Sequence, residues 1–247
     1  MTSSWKVADV VAVHEETSNA RTLRLRVPKL MGHLPGQHVD VRLTAPDGYQ
    51  AVRSYSVASA LPSDELEITV EELPDGEVSP YLVHGVSVGD QLEVRGPVGG
   101  WFVWHADDAS PTQLIAGGSG VVPLMSMIRA HAVSASVAPF RLLYSVRNPD
   151  GVFYRGELAS LAMPGGATPL EITYVYTRAV PDGWPTPPGR LDADLLARSV
   201  LPAAENPAFF ICGATGFVET VSDWLVQAGH DPDRIKTERY GGIGGAS

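Results

Sequence analysis

Only one cysteine, Cys212, occurs in 247 residues. A lone thiol builds no internal disulfide framework and cannot supply the four thiolates of a plant-type iron–sulfur cluster. A reducing compartment suits it, and the cytoplasm is the expected location. Basic charge is also scarce: 18 Lys and Arg against 28 Asp and Glu leave a net charge of −10, which argues against a nucleic-acid partner. No apolar run approaches the length of a bilayer span, and the N-terminal MTSSWKVADV lacks the apolar core of a signal peptide, so no membrane insertion is expected. The seven histidines form no HxH, HExxH or His/Cys cluster, and no metal site is expected. Ser119, in GGSG, lacks the G-x-S-x-G frame of a hydrolase nucleophile.

What remains is a globular composition, 44% apolar and 19% charged, with enough chain for one large domain or two ordinary ones. The first part alternates with period two. Leu23, Leu25 and Val27 share a face, as do Val39, Val41 and Leu43, and Leu66, Ile68 and Val70; LPGQ, APDG, LPDG and VGD separate the runs. This pattern predicts an antiparallel β-barrel or sandwich. From about Thr112 the texture changes. QLIAGG, RLLYSV, LEITYVYT and AFFICGA alternate with helical candidates VPLMSMIRAHAV, GELASLAM, LDADLLARSV and FVETVSDWLVQAG, the pattern of a parallel sheet wrapped by helices. WHADDASPT is the candidate boundary, giving domains over 1–107 and 111–247.

Two stretches carry chemistry. RSYSVAS places a cation, a flat ring and two hydroxyls (Arg53, Tyr55, Ser54 and Ser56) on one short strand, a set suited to an anionic, flat ligand; Tyr55 taken alone is an ordinary strand aromatic. Gly117, Gly118, Ser119 and Gly120 lie between a buried strand and a helix, where a pyrophosphate meets free N–H groups, although a plain glycine turn reads the same way. Position at the first strand of a parallel sheet favours the ligand.

In register along the chain, PGQHVDV, RSYSVAS, GEVSPYL, VGDQLEVRGPVG, LIAGGSGVVP, YSVRNPDGVFYRGEL, FICGATGF and TERYG resemble the ferredoxin-NADP reductase superfamily. The likeness is strongest to stand-alone bacterial flavin reductase components and the flavohaemoglobin reductase module. The resemblance implies an N-terminal antiparallel β-barrel for flavin and a C-terminal α/β parallel sheet for the dinucleotide. By it, Arg53 pairs with the flavin pyrophosphate, Tyr55 lies against the isoalloxazine and Ser56 approaches N5. Gly76, Val78 and Ser79 form a second phosphate site at a serine-capped helix. YSVAS resembles the FAD branch, so FAD is the expected flavin. Cys212 and Gly213 match the nicotinamide pocket, and Glu238 and Tyr240 the C-terminal acid and ring, although seven residues follow Tyr240. Ser56, Cys212 and Glu238 are thus the catalytic candidates, with Glu238 also readable as a solvated charge and Cys212 as buried filler.

For the coenzyme, Ser145, Arg147, Arg155 and Arg178 lean towards the 2′-phosphate of NADPH, with Asp150 dissenting and NADH possible. The expected function is NAD(P)H-dependent reduction of FAD with electrons passed to a separate redox protein. A flavin-binding regulatory module and a direct reductase of a small acceptor, such as free flavin or a ferric chelate, are the alternatives.

Overall fold

The computed structural model describes residues 4–30, 32–60, 64–163 and 170–240. The glycine-rich tail GGIGGAS lies outside the described residues. The chain forms two compact units, residues 1–105 with Met125–Ala130, and residues 106–124 with 131–247.

The first unit is a six-stranded antiparallel sheet in the order β4-β3-β6-β1-β2-β5. Its strands are β1 (Lys6–Thr17), β2 (Ala20–Arg26), β3 (His38–Thr44), β4 (Gln50–Ser56), β5 (Glu65–Glu71) and β6 (Gln91–Val98). A bridge between Val57, just past β4, and Ile68 of β5 joins the two outer strands and closes the sheet. The period-two pattern explains the closure. Leu23, Leu25, Val39, Val41, Leu66, Ile68 and Val70 all point into one core and are fully buried, each burial contributing about 1.5–3 kcal/mol. On the other face Arg24 opposes Glu67 and Arg26 opposes Glu65 in register, with ion-pair distances of 2.8 and 2.6 Å. Such exposed pairs fix register more than they add stability. Trp104, placed by its sequence neighbours in a polar boundary, is instead buried, its backbone N–H donating to the Pro35 carbonyl at 3.1 Å.

The second unit is a five-stranded, wholly parallel sheet in the order β11-β10-β7-β8-β9. From Thr112 the elements run β7 (Thr112–Gly117), α1 (Val121–Ala132, of which Met125–Ala130 is grouped with the first unit), β8 (Phe140–Val146), α2 (Arg155–Leu161), β9 (Glu171–Tyr176), α3 (Ala193–Ser199), β10 (Ala208–Ala214), α4 (Thr215–Gln227) and β11 (Ile235–Tyr240). The four helices fall where the apolar periodicity places them. The near-continuous apolar runs of β7 and β10 reflect burial on both faces of a central parallel strand. From β7 the chain proceeds to β8 and β9, then returns to the opposite side of β7 as β10. The strand order therefore reverses between β7 and β10, which in open α/β sheets marks the ligand crevice.

Three buried imidazoles make the fold sensitive to acid. His33 reaches the Ser59 carbonyl at 2.7 Å, His131 stacks on Phe140 with centroids 4.2 Å apart, and His230 meets Phe209 edge-on at 4.7 Å. Burial lowers all three pKa values below 6.5, opposed by backbone hydrogen bonds at His33 and His131. The unfolded chain then takes up protons first as pH drops, so stability that is complete above the unfolded value is lost as pH falls through the folded ones. Thermal melts followed by circular dichroism should show a steady midpoint near pH 8 and one lower by several degrees at about pH 5.5. An unchanged midpoint would contradict the assignment of these rings as neutral.

Candidate functional site

Pairing in β3 and β4 divides the RSYS stretch. Arg53 opposes Val41 and Tyr55 opposes Val39, so both leave the sheet on the core-facing side; Ser54 opposes Asp40 and Ser56 opposes His38 on the other. The two serines therefore do not share a face with Arg53 and Tyr55. Ser54 donates to Asp40 at 2.7 Å, and Arg95 grips the same carboxylate at 2.6 Å. Burial works against the Asp40 charge, but these two donors hold its pKa below the usual value. Ser54 is thereby committed to the sheet's own network. Tyr55 packs against the core, and burial pushes its phenol up to about 12, with the Arg53 charge pulling back.

Arg53 is half exposed, and its Nη2 donates to Glu77 Oε2 at 2.7 Å. The other Glu77 oxygen accepts from the Tyr49 hydroxyl at 2.9 Å. Sequence reading passed over both partners, because nothing in GEVSPYL shows that Glu77 folds back onto β4. The loop that carries Glu77 is self-closed. The Gly76 N–H donates to the Leu73 carbonyl at 2.8 Å, and the Leu73 N–H donates to Ser79 Oγ at 3.0 Å. Ser79 is buried and tied to this loop, and no side chain caps the turn that follows, Tyr81–Gly85. In place of the expected serine cap, Ser79 and Pro80 are themselves helical and lead into the wide turn at Tyr81–Gly85, which no side chain caps. Val78 is wholly buried in the core, and a Cβ on Gly76 would meet Ser79 Oγ at 2.8 Å.

In the second unit, the reversal point gathers Gly117, the last residue of β7, with Gly118–Gly120 after it and Cys212–Ala214 at the end of β10. A Cβ on Gly120 would lie 2.1 Å from the Cys212 carbonyl oxygen, and one on Gly117 or Gly213 would lie 2.8 Å from the Phe217 ring. These three glycines are required by packing, whatever the ligand. Gly118 alone in the turn has positive φ, at 57°. The turn leads into α1, and Ala214 leads directly into α4; neither helix receives a side-chain cap. Two helices of 12 and 13 residues thus begin beside each other with their first-turn N–H groups uncapped by side chains, an arrangement that fits a pyrophosphate. Ser119, at the turn, is partly exposed.

Sheet register fills in the rest. Glu238 on β11 opposes Cys212, and Cys212 opposes Ala116 on β7; one step further, Gly117 opposes Ser145, which is buried. Burial, and then the Glu238 charge, push the Cys212 thiol well up, which favours its neutral form. The Tyr240 hydroxyl donates to the Gly117 carbonyl, which holds this exposed ring over the glycine turn. At the far side, the Arg178 N–H donates to the Arg147 carbonyl at 2.8 Å, so two exposed guanidinium side chains leave adjoining strand ends. Arg155 opens α2, and its charge opposes the upward push that burial gives Tyr174 and Tyr176. Those two rings stack at 5.8 Å, and Trp184, from the proline-rich VPDGWPTPPG, meets Tyr176 edge-on at 5.0 Å. These aromatics, like Phe217, escaped sequence reading because their grouping depends on β9 lying at the sheet edge and on the following segment returning to Tyr176.

A closed antiparallel sheet bearing R-x-Y-S, with a parallel sheet whose glycine turn lies at the strand reversal, defines a two-domain flavin- and nucleotide-binding oxidoreductase. Residues 7–103 match the oxidoreductase FAD-binding domain and residues 114–223 the oxidoreductase NAD-binding domain. The chain is 30% identical, over 94% of its length and 67% of the relative's, to the ferredoxin–NAD(P)(+) reductase component of naphthalene 1,2-dioxygenase/salicylate 5-hydroxylase systems from Ralstonia sp. It is 31% identical to a glycine betaine monooxygenase reductase subunit of Chromohalobacter salexigens, over 94% of the chain and 63% of that protein. The chain thus spans about two thirds of the length of these relatives. The flavohaem-like FAD/NAD-binding domain of a nitric oxide dioxygenase from Vibrio cholerae shares the fold, with a TM-score of 0.82, 24% identity and coverage of 96% and 99% of the two chains. The chain belongs to the family of oxidoreductases with paired FAD- and NAD-binding domains. Among the described residues, no helix is long and apolar enough to cross a membrane.

Proposed function

We infer that the chain is the reductase of a multi-component redox system, taking reducing equivalents from NADPH in preference to NADH and passing them to a separate protein. Residues 1–107 hold FAD and residues 111–247 hold the dinucleotide. The observation that carries this reading is the pair of uncapped helix starts at the strand reversal, in a chain that also presents the Arg53 fork. When bound, FAD and the nicotinamide supply the hydride chemistry. The chain's own groups bind and orient. Arg53 offers a phosphate two parallel N–H donors. Gly118 lets the backbone approach the dinucleotide, and the α1 and α4 N–H groups meet its pyrophosphate. Arg147 and Arg178 favour a 2′-phosphate, and Ser56 aligns the reacting edges.

Neutral Cys212 and partly buried Glu238 shape the nicotinamide end without forming a covalent bond, and Tyr240 lies over the turn that the nucleotide must share. The one cysteine of these 247 residues supplies no cluster ligands for a relay within them, so electrons leave the flavin for a redox group outside them. The single cysteine suits a reducing compartment, and the cytoplasm is the proposed location. The purified protein should be yellow with non-covalent FAD. Anaerobic NADPH should bleach it faster than NADH, reoxidation by oxygen should be slow, and ferricyanide or a dedicated protein should restore turnover. Release of FMN would overturn the cofactor, and failure of both coenzymes to bleach it would favour a binding module. Rapid sustained turnover with free flavin or a ferric chelate would favour a small acceptor.

A further inference from the structure

We propose that Glu77 is an internal competitor for the flavin phosphate, occupying the Arg53 fork and setting how tightly the protein holds FAD. The proposal rests on the reading of Arg53 as a flavin-phosphate ligand and adds a residue that works against it.

Glu77 lies immediately after Gly76, within the loop closed by Leu73 and Ser79. That closure brings the carboxylate back to the sheet, where one oxygen takes Arg53 Nη2 at 2.7 Å and the other takes the Tyr49 hydroxyl at 2.9 Å. Both partners stand on one segment, Tyr49 just before β4 and Arg53 within it. Arg53 Nη1 already donates to the Val52 carbonyl at 2.8 Å, so the guanidinium edge that Glu77 takes is one a phosphate would need. A carboxylate and a phosphate oxygen ask the same geometry of a guanidinium. Both therefore compete for Nη2, the nitrogen that Glu77 already holds.

The pair is open to solvent, with side-chain exposures of 51% for Arg53 and 48% for Glu77. An ion pair so exposed is weak and readily exchanged. A phosphate, with more charge, displaces the carboxylate, and the displaced carboxylate then remains nearby as a like charge. Both effects lower FAD affinity, and both vanish when Glu77 loses its charge. Tyr49 supplies the second tether, so its hydroxyl strengthens Glu77's hold on the fork.

The test is a titration of flavin-free protein with FAD, followed by quenching of flavin fluorescence, in wild type, Glu77→Gln, Tyr49→Phe, Arg53→Ala and the Arg53→Ala/Glu77→Gln double variant. Glu77→Gln should bind FAD about tenfold more tightly, by a margin that shrinks in high salt. Tyr49→Phe should shift affinity the same way by about two- to threefold. In the Arg53→Ala background the gain from Glu77→Gln should largely disappear, because the two groups act through one contact. Unchanged or weaker FAD binding by folded Glu77→Gln, with Arg53→Ala still weakened, would overturn the proposal and leave the reading of Arg53 intact. An undiminished gain in the Arg53→Ala background would also overturn it. Should Arg53→Ala bind FAD as wild type does, the reading of Arg53 itself fails, and the proposal with it.

Discussion

Alanine at Gly120 should destabilise the protein by about 3 kcal/mol or more and abolish pyridine-nucleotide binding. Local preference points the other way. Gly120 has φ −60° and ψ −9°, ordinary right-handed values, at which alanine would be favoured by about 1 kcal/mol through propensity alone. Packing decides the sign, because the new methyl group would stand 2.1 Å from the Cys212 carbonyl oxygen, 2.4 Å from its carbon and 2.8 Å from the Gly213 nitrogen. These are backbone atoms of a central strand, with no rotamer to move out of the way. Relief requires the turn to part from β10, which separates the two helix starts that the pyrophosphate needs together. Denaturant and thermal unfolding should show a midpoint lower by about 6–12 °C. Gly156→Ala on α2, where a Cβ meets nothing within 4 Å, serves as the control and should be neutral or slightly stabilising. A Gly120→Ala protein as stable as wild type would mean that the close approach is not a constraint.

Arg53→Ala should have the opposite profile, a large loss of flavin with little loss of stability. The guanidinium is half exposed and paired with a half-exposed carboxylate, and such pairs contribute about 0–1 kcal/mol to folding. A charge-assisted bond to phosphate is worth about 1.5–3 kcal/mol, which is about 10- to 150-fold in affinity. Gel filtration should strip FAD from the variant but not from wild type, while circular dichroism and the apo-protein melting temperature stay nearly the same. Equal FAD retention would remove Arg53 from the flavin site, and collapse of the fold would show that its pairing with Glu77 is structural.

These two positions illustrate what was legible in the sequence. Strand alternation exposed the core of the first unit, since Leu23, Leu25, Leu66 and Ile68 obey a local rule that needs no knowledge of partners. The four helices of the second unit were legible for the same reason. The glycine turn was legible as a turn at the first parallel strand, but its glycines were explained only in part. Gly120 answers to Cys212 and Gly117 to Phe217, across about ninety to a hundred residues of sequence, while Gly213 answers to the same Phe217 four residues on. The pleat divides RSYS between two faces, and Ser54 serves Asp40, which the strand's composition alone does not show. Glu77 was invisible because a self-closed loop, not any periodicity, sets it against Arg53.

Phe217 also limits the routes by which this chain can diverge. One ring covers both Gly117 and Gly213, so a lineage that acquires a side chain at either glycine while the phenylalanine remains passes through a crowded ancestor. The permissive order begins with the aromatic: once Phe217 has given way to something small, both glycines are released from this constraint together. Gly120 gains nothing from that release, since what confronts it is main chain, and no substitution elsewhere can shorten a carbonyl.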